Sequence, residues 1–405
     1  MKIKSDQIIS KTESTKKEKV KILFFHNTLP EYRIKWFEEL SKIAHVDFVF
    51  TNEMLNSKIY GFDIDYKQAQ KINYKFLHPG LKGYKQLRQI LSNIQQYDFV
   101  ELPPIDSLRE VLISAYIVIK CKVHNIKVGY FWEKWEAPRN KQPLARKIKN
   151  YILRFIPKFI YKHSDVIFSV GIKNREYFIS NGISEDRIKW IPDVSETPIC
   201  TNGDLRSKYN IRQDQKIILF LGRMIPQKGV KNLIKAYSRL DSYTQDKCFL
   251  LIAGDGPDLN NCKNLATSLN INNIKFAGSI PPSERGLFFS QCNIFVYPVI
   301  YYKGWVDVWG LTINEALQHG KIIIATDAVG SAYELIKNGM NGYRIDPDDI
   351  EKLKEAISNS LSESMSSNAK EINLDLRKVY NYSNMAETYL RIVKEIIKIN
   401  VNGRK

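Results

Sequence analysis

A chain of 405 residues is too long to fold around one ordinary hydrophobic core, so two domains are expected. Hydrophobic residues make up 44% and charged residues 26% of the chain, and its longest apolar run, residues 111–119, is far short of the ~20 residues of a membrane-spanning helix. The net charge of +18 is concentrated in residues 1–195, which carry +13, but no helix-turn-helix, zinc-finger or aromatic RNA-binding motif accompanies it, so nucleic acid is not expected as a partner.

Residues 1–18 are rich in charge and poor in aromatic side chains, which predicts a disordered basic tail. This polar start lacks the apolar core of a signal peptide, and the five cysteines show neither CxxC nor His-coupled zinc spacing. The sequence therefore predicts a cytoplasmic protein whose cysteines are small core residues and which has no structural metal.

Apolar strand patterns alternate with helical patterns in the first half of the chain. The first strand, helix and second strand read KVKILFFHN, YRIKWFEELSKI and HVDFVFT, and later apolar runs occupy residues 99–102, 128–132 and 165–170. This alternation predicts a parallel sheet that helices cover on both faces. We assign residues 19–195 to an N-terminal Rossmann-like domain.

Residues 141–163 contain seven basic residues and no acidic one, interleaved with Leu, Ile, Tyr and Phe. Such a basic amphipathic stretch suits the surface of an anionic membrane leaflet, where each cation contributes up to ~1 kcal/mol. It would equally suit a solvated helix over a hydrophobic core. Peripheral attachment to the inner face of the membrane is therefore one of two interpretations of this segment.

The alternation restarts after residues 190–202, whose two prolines and polar residues predict a linker. A second Rossmann-like domain is predicted at residues 196–378, and residues 379–405 are assigned to a C-terminal helix that crosses back to the N-terminal domain. Late in the second domain, Ser331 and Glu334 have the spacing of a capping box. Ligands of doubly wound sheets bind outside the carboxyl ends of the strands, so two such domains facing each other would enclose a cleft.

Two cations, Arg223 and Lys228, follow the first strand of the second half, next to the turn glycine Gly222. A guanidinium binds phosphate oxygens in pairs and an ammonium adds a compact charge. The two could therefore neutralise a pyrophosphate and stabilise it as a leaving group without a metal. The spacing fits neither a P-loop nor a GxGxxG fingerprint, and two solvated cations in a loop are the alternative.

Residues 307–320 place two carboxylates, Asp307 and Glu315, eight positions apart around a Trp-Gly-Leu turn that opens a helical pattern. Gly310 allows backbone N–H groups to approach a ligand, and a helix N-terminus attracts phosphate. Glu315 could then accept hydrogen bonds from a ribose, and Asp307 could face a group attached beyond the phosphates. An acidic first turn that favours the helix dipole is the simpler alternative.

Together these motifs resemble the family-four retaining glycosyltransferases (glycosyl transferases group 1) with the GT-B fold. The resemblance rests on GRM…KGV, AGDGP, the Asp307-x7-Glu315 element and ATDAVGSAYEL, and it covers about residues 200–350. It implies an α/β protein in which two doubly wound Rossmann-like domains face each other across a cleft. The N-terminal domain would bind the acceptor and the C-terminal domain the nucleotide-sugar.

The resemblance also implies a role for each matching residue. Arg223 and Lys228 would bind the donor pyrophosphate, Glu315 would bind the ribose, and Asp307 would replace the Glu that faces the donor sugar in relatives. Because Asp is one methylene shorter than Glu, its reach to the sugar is altered. Further donor contacts are implied for a turn glycine, two residues beside the base and three at the helix N-terminus: Gly222, Ser279, Ile280, Gly310, Leu311 and Thr312.

Cleft residues of the N-terminal half are expected at the carboxyl ends of its strands. Relatives often carry a histidine at one such end, where this chain has Trp132 and Glu133. Glu133 could orient an acceptor hydroxyl or the donor sugar, or it could be a surface residue. His26 ends the first strand and is either a cleft residue or a structural one, and Tyr32 and Arg33 follow in the first loop, where the cation could meet a phosphate.

The function implied by the resemblance is that of a retaining, metal-independent glycosyltransferase of the hexosyltransferase type that needs no cofactor. It would move a sugar from a nucleotide diphosphate-sugar to a hydroxyl of a glycan or polyprenyl-linked glycan precursor, in cell-surface polysaccharide biosynthesis. The alternatives are a catalytically inactive nucleotide-sugar-binding subunit or scaffold, a phosphorylase of the same fold, and a basic membrane-adhesion protein.

Overall fold

Two parallel sheets, one in each half of the chain, organise the protein. The computed structural model describes residues 19–52, 69–105, 107–153, 157–200 and 202–402. The predicted tail of residues 1–18 lies outside the described residues. In both halves helices connect successive parallel strands, so the prediction of an α/β fold with two doubly wound Rossmann-like domains is confirmed.

Seven strands of the described N-terminal half form one sheet in the order β3-β2-β1-β4-β5-β6-β7, and all neighbouring strands are parallel. They are Lys21–His26 (β1), His45–Phe50 (β2), Asn73–Phe76 (β3), Phe99–Leu102 (β4), Lys127–Phe131 (β5), Val166–Ser169 (β6) and Ile188–Trp190 (β7). The central strands are almost continuously buried, as expected where helices cover both faces of a parallel sheet.

The helices of this half lie on both faces of the sheet. They are Glu31–Ile43 (α1), Gly80–Ser92 (α2), Leu108–His124 (α3), Leu144–Leu153 (α4), Lys158–His163 (α5) and Ile172–Ser180 (α6). Helix α1 packs on one face, whereas α2, α3, α5 and α6 share the hydrophobic core on the other. Helix α3 begins after Ser107, whose hydroxyl accepts the Arg109 N–H at 3.2 Å, and ends at Asn125, which has the left-handed conformation at φ 60°.

Six strands of the second half form a sheet in the order β10-β9-β8-β11-β12-β13, again with parallel neighbours throughout the described part. The strands are Lys216–Leu221 (β8), Cys248–Ala253 (β9), Ile274–Gly278 (β10), Ile294–Tyr297 (β11), Ile322–Thr326 (β12) and Gly342–Ile345 (β13). The helices are Leu205–Tyr209 (α7), Val230–Ser238 (α8), Ser242–Asp246 (α9), Leu259–Ser268 (α10), Arg285–Gln291 (α11), Leu311–Gln318 (α12), Ala332–Leu335 (α13), Ile350–Asn359 (α14) and Glu363–Val379 (α15). Since β8 lies between β9 and β11, the residues that follow these three strands meet at one edge of the sheet.

The last helix, Tyr382–Asn402 (α16), returns to the N-terminal half and packs against α1. Its Tyr389 lies among aromatic side chains of the first sheet, with ring centroids 4.7 Å from Phe168 and 5.8 Å from Phe24. The Tyr389 hydroxyl donates to Glu101 Oε2 at 2.8 Å, and burial raises the pKa of the Glu101 carboxyl well above its usual range. Of the helices that the structure describes, none has the length and apolarity to span a bilayer.

Residues 191–200 connect β7 to the C-terminal half outside any helix or strand, as a linker would, but the first part of this connection is buried. Ile191, Asp193, Val194 and Ser195 are all buried. The Asn314 amide donates to the backbone oxygen of Asp193 at 3.0 Å, so this connection is held by the C-terminal half. Asp193 and Ser195 can be buried here because residues of both halves hydrogen-bond to them, whereas Glu196 and Ile199 are exposed.

Candidate active site

The centre of the C-terminal site is a group of four residues, Lys228, Tyr297, Trp305 and Asp307, which we call the Lys228 cluster. Lys228 Nζ donates to Asp307 Oδ2 at 2.6 Å and also contacts the Tyr297 hydroxyl, which itself donates to Asp307 Oδ2 at 2.6 Å. The ammonium lies 4.6 Å from the Tyr297 ring centroid and 5.2 Å from that of Trp305. Carboxylate and aromatic faces together hold this cation in place.

Charge and burial fix the protonation of the cluster. Burial alone would lower the pKa of Lys228, but the attraction of Asp307 and Tyr297 outweighs it and raises that pKa above its usual range. Burial and the adjacent Asp307 raise the pKa of Tyr297 to about 12. At neutral pH the cluster therefore contains an ammonium and a neutral phenol.

A glycine brings Lys228 to this position. Gly229 has φ +68°, and a Cβ there would lie 1.8 Å from the backbone oxygen of Pro298. The loop after β8 can approach the end of β11 this closely only without a side chain. Gly229 therefore allows the Lys228 ammonium to lie beside Tyr297.

Helix α12 starts next to the Lys228 cluster. Gly310 precedes it with φ +83°, and a Cβ at this position would lie 2.6 Å from Val329 Cγ1. Leu311 and Thr312 form the first turn, whose N–H groups have no acceptor within the helix. This arrangement can bind an anion beside the Lys228 ammonium.

Glu315 lies one turn further along α12 and is almost fully buried. Its Oε1 accepts the Ser195 hydroxyl at 2.8 Å, and its Oε2 accepts the Arg285 guanidinium at 2.5 Å. Burial raises the pKa of Glu315, and the two hydrogen-bond partners oppose that shift. The Ser195 contact also joins the connection between the halves to the predicted ribose-binding carboxylate.

Arg33 occupies the N-terminal side of the cleft, in the first turn of α1. Its guanidinium is only 1% exposed and donates to Asp193 Oδ1 at 2.5 Å and to Glu133 Oε1. Arg33 is thus bonded to two carboxyl groups of the protein, whereas the sequence predicted that its guanidinium could meet a phosphate. In this conformation Arg33 is a buried structural cation, because no face of the guanidinium is presented to the cleft.

Glu133 follows β5 and keeps 29% of its side chain exposed beside Arg33. Burial and the neighbouring Asp193 raise the pKa of Glu133 to about 8, with Arg33 opposing them and Asp307 adding to the increase. Asp307 belongs to the C-terminal half, so the two predicted catalytic carboxylates act on each other electrostatically from opposite sides of the cleft. Glu133 therefore lies at the cleft, and its carboxyl group has a raised pKa.

The raised pKa of Glu133 predicts a pH-dependent stability. A carboxyl whose pKa rises from 4.5 unfolded to about 8 folded favours the native state below pH 4.5, and this contribution is lost as pH rises through about 8. Glu133→Gln should remove that slope, so the difference in unfolding free energy between variant and wild type should change across this window. Urea unfolding at several pH values measures it, and parallel curves for the two proteins would refute the assignment.

The remaining N-terminal candidates have structural partners. His26 Nδ1 hydrogen-bonds the Thr28 carbonyl at 2.8 Å, and burial and Arg33 lower the pKa of His26 to about 3, so the ring stays neutral. The Tyr32 backbone oxygen accepts the Tyr382 hydroxyl of α16 at 2.9 Å. Trp132 packs its ring against Tyr130, with centroids 6.0 Å apart.

The other predicted donor contacts lie at the same carboxyl edge of the second sheet as Lys228. Arg223 is exposed and Gly222 is half-buried after β8, and Ser279 is exposed and Ile280 half-buried after β10. Among the described residues, no group of three or more His, Cys, Asp or Glu side chains is arranged to hold a metal ion.

Glu334 does not form the predicted capping box with Ser331. The Ser331 side chain makes no cap hydrogen bond, and Glu334 Oε1 instead accepts the Ile172 N–H at 2.6 Å. A carboxylate of the C-terminal half therefore caps α6 of the N-terminal half. The reason is the approach of the two halves at Gly171, where an added Cβ would lie 2.8 Å from the Trp309 ring.

Five residues with direct contacts in the site escaped the sequence analysis: Asp193, Ser195, Arg285, Tyr297 and Trp305. A signal existed for Tyr297, because it is the last residue of an apolar strand and such ends face the ligand edge. Asp193 and Ser195 follow β7 in the same way, but their proline-containing surroundings resembled a surface linker.

Comparison with known proteins points to one family. Residues 202–374 match the model for glycosyl transferases group 1. Over 301 residues the chain is 25% identical to an uncharacterized glycosyltransferase of Methanocaldococcus jannaschii, covering 70% of this chain and 67% of that protein. Over 162 residues it is 33% identical to alpha-monoglucosyldiacylglycerol synthase of Streptococcus pneumoniae, covering 40% of this chain and 34% of that protein.

Solved structures share the whole architecture. The crystal structure of Anabaena HepE in complex with UDP and glucose superposes with a TM-score of 0.68 at 15% identity, covering 93% of this chain and all of that one. A likeness at this identity establishes the fold, and the predicted GT-B architecture is confirmed. The chain spans 67% and 34% of the lengths of these two curated relatives.

Proposed function

We propose that the chain is a retaining glycosyltransferase of the glycosyl transferases group 1 family, whose model matches residues 202–374. It moves a sugar from a nucleotide diphosphate-sugar to a hydroxyl of a glycan or lipid-linked glycan precursor, in cell-surface polysaccharide biosynthesis. The observation that carries the proposal is the Lys228 ammonium, held by Asp307 and two aromatic rings beside the N-terminus of α12.

The geometry supports a pyrophosphate at this position. Lys228 and the amides of Leu311 and Thr312 provide positive charge at one point, and the exposed Arg223 lies on the same loop as Lys228. When phosphate displaces the Asp307 carboxylate from the ammonium, Asp307 becomes available to a sugar hydroxyl. A neighbour with this fold was crystallised with UDP and glucose, which supports a nucleotide-sugar as donor.

The proposed transfer keeps the configuration of the sugar by front-face departure of the diphosphate, whose oxygen accepts the proton of the acceptor hydroxyl. This route depends on charge neutralisation at the leaving group, which Lys228, Arg223 and the helix N-terminus can supply. We therefore propose that turnover needs neither a metal nor another cofactor. Glu133, on the opposite side, orients the acceptor hydroxyl or the donor sugar.

The acceptor is proposed to be lipid-linked. The Streptococcus pneumoniae relative is named for synthesis of a glucosyl diacylglycerol. The basic amphipathic segment of residues 141–163 ends in α5, whose Lys158 and Phe159 are exposed, and through this end the chain would contact an anionic membrane surface. Peripheral attachment would bring the cleft to an acceptor embedded in the bilayer.

A panel of UDP-, GDP- and ADP-sugars tests the proposal. We expect one donor to raise the unfolding temperature, because a ligand at 100 times its Kd adds about 2.7 kcal/mol to stability. The same donor should be slowly hydrolysed, with release of nucleoside diphosphate that EDTA does not abolish. Stabilisation without release would favour the inactive binding subunit, and no stabilisation by any nucleotide-sugar would refute the proposal.

A further inference from the structure

Helix α3 is apolar on two sides, because Ile117, Val118 and Cys121 are buried in the core while a second set of apolar residues is exposed. Its buried face includes Glu110 and Ser114, and Glu110 is anchored there by the Thr51 hydroxyl at 3.2 Å. The opposite face, formed by Leu108, Leu112, Ile119 and Val123, is open to solvent. A helix that exposes several large apolar side chains in addition to those it buries presents a surface that a further apolar partner can cover.

The outward face is continuous along the helix. Leu108, Leu112, Ile119 and Val123 are 68%, 64%, 54% and 73% exposed, at spacings of four, seven and four residues. Such spacings put side chains on one side of an α-helix, one above another. The stripe therefore runs the full length of α3, and it differs from the scattered exposed apolar residues of ordinary protein surfaces.

Neighbouring helices extend the stripe sideways. On α2, Leu81 is 81% and Tyr84 is 54% exposed, and the Tyr84 ring lies 6.0 Å from that of Tyr116 on α3. On the other side, α5 packs against α3 and exposes Phe159. We call the surface formed by the exposed residues of α2, α3 and α5 the α2–α3–α5 face.

The charges on this face have one sign. Helices α2, α3 and α5 carry one acidic residue, the buried Glu110, against eight basic residues, of which six are exposed: Lys82, Lys85, Arg88, Lys122, Lys158 and Lys162. An apolar stripe flanked by cations complements a bilayer with anionic head groups, because side chains enter the acyl boundary while cations remain at the phosphates. A protein partner with a matching apolar face would not require this uniform charge.

The α2–α3–α5 face borders the cleft. Helices α2 and α3 begin shortly after strands β3 and β4, so Leu81 and Leu108 lie at the carboxyl edge of the sheet. Glu133 follows β5 at the same edge. A surface touched by this end of the helices would lie next to the side of the cleft that receives the acceptor.

We propose that the α2–α3–α5 face docks the protein on an anionic lipid bilayer. This surface differs from residues 141–163 as a whole, because the start of that segment is occupied: Lys141 pairs with Asp348 at 2.6 Å, and Arg146 donates to the Lys303 backbone oxygen at 3.0 Å. Only its last part, α5, belongs to the docking face. The docking is independent of sugar transfer, so it can be tested even if the proposed activity is wrong.

Sedimentation with phosphatidylcholine vesicles, with and without phosphatidylglycerol, tests this docking. The full chain should bind the anionic vesicles, and Leu112→Glu/Val123→Glu should lower the partition coefficient about tenfold or more. The matched control is Leu374→Glu on α15, an apolar residue of similar exposure (55%) in the C-terminal half, which should bind as wild type does. Lys82→Glu/Lys85→Glu should weaken binding most at low salt.

Three results would overturn the docking face. Wild-type protein could fail to sediment with anionic vesicles, or the control variant could lose binding as strongly as Leu112→Glu/Val123→Glu. Alternatively, sedimentation velocity could show a dimer that this double variant dissociates while vesicle binding is absent, which would assign the face to a second copy of the chain. Unfolding curves show whether Leu112→Glu/Val123→Glu still folds. If it does not, vesicle binding by Lys82→Glu/Lys85→Glu, which changes exposed residues of α2, decides whether the docking face is correct.

Discussion

Replacing Lys228 with alanine should lower turnover of the nucleotide-sugar by about 10²–10³-fold, the usual cost of removing one preorganised charge from a leaving-group site. The ammonium is 11% exposed and lies within 2.6 Å of Asp307, so no solvated cation can take over its position. Steady-state release of nucleoside diphosphate measures the effect. Lys231→Ala is the matched control. Lys231 lies in the first turn of α8, three residues after Lys228, but it pairs with Asp258 at 2.8 Å and is 41% exposed.

A double variant separates two explanations of that loss. If Lys228 only neutralises Asp307, then Lys228→Ala/Asp307→Asn should recover much of the lost turnover, because the uncompensated carboxylate is gone. If Lys228 holds the departing diphosphate, the double variant should be at least as slow as Lys228→Ala. We expect the second outcome, and a recovery to near wild-type turnover would contradict the phosphate role.

Replacing Arg33 with leucine should destabilise the protein by about 3–5 kcal/mol, since it leaves the buried Asp193 carboxylate without its cation. Asp193 is fully buried, so water cannot replace the guanidinium. Denaturant unfolding at neutral pH measures the loss. The control is Arg391→Leu, which breaks a pair with Glu395 whose members are 62% and 53% exposed and should cost less than about 1 kcal/mol.

The loss caused by Arg33→Leu should grow as the pH rises through about 8, because Glu133 then gives up its proton in the wild-type protein and the counter-charge stabilises it. Comparing the variant with wild type at two pH values tests this dependence. Equal losses for Arg33→Leu and Arg391→Leu at neutral pH would show that Arg33 does not stabilise the cleft in the way described.

The sequence was sufficient to predict the site residues that belong to short motifs. Lys228 lies a few residues after an apolar strand and a glycine turn, and Asp307 lies a few residues before the glycine that opens a helix, so each could be assigned to the ligand edge from its own neighbours. Tertiary partners are a different matter. Arg33 and Asp193 are 160 residues apart, and no local pattern could show that the cation expected to meet a phosphate is held by buried carboxylates.

The same limit explains one wrong structural prediction and one feature that was not foreseen. Residues 190–202 have the composition of a linker, but Asp193 and Ser195 within them are bonded by residues from both halves. Glu334 has capping-box spacing, yet it caps a helix 162 residues away in sequence. In both cases the competing partner lies in the other half of the chain, where sequence spacing carries no information.

The return of α16 to the first half affects how the protein is made. Tyr389 fills the aromatic core that Phe24, Trp36 and Phe168 begin, although more than 200 residues separate it from Phe168. During synthesis, the first half therefore leaves the ribosome without the ring that completes its interior. Its final packing waits until the residues of the C-terminal sheet have also been made, and the two halves mature together.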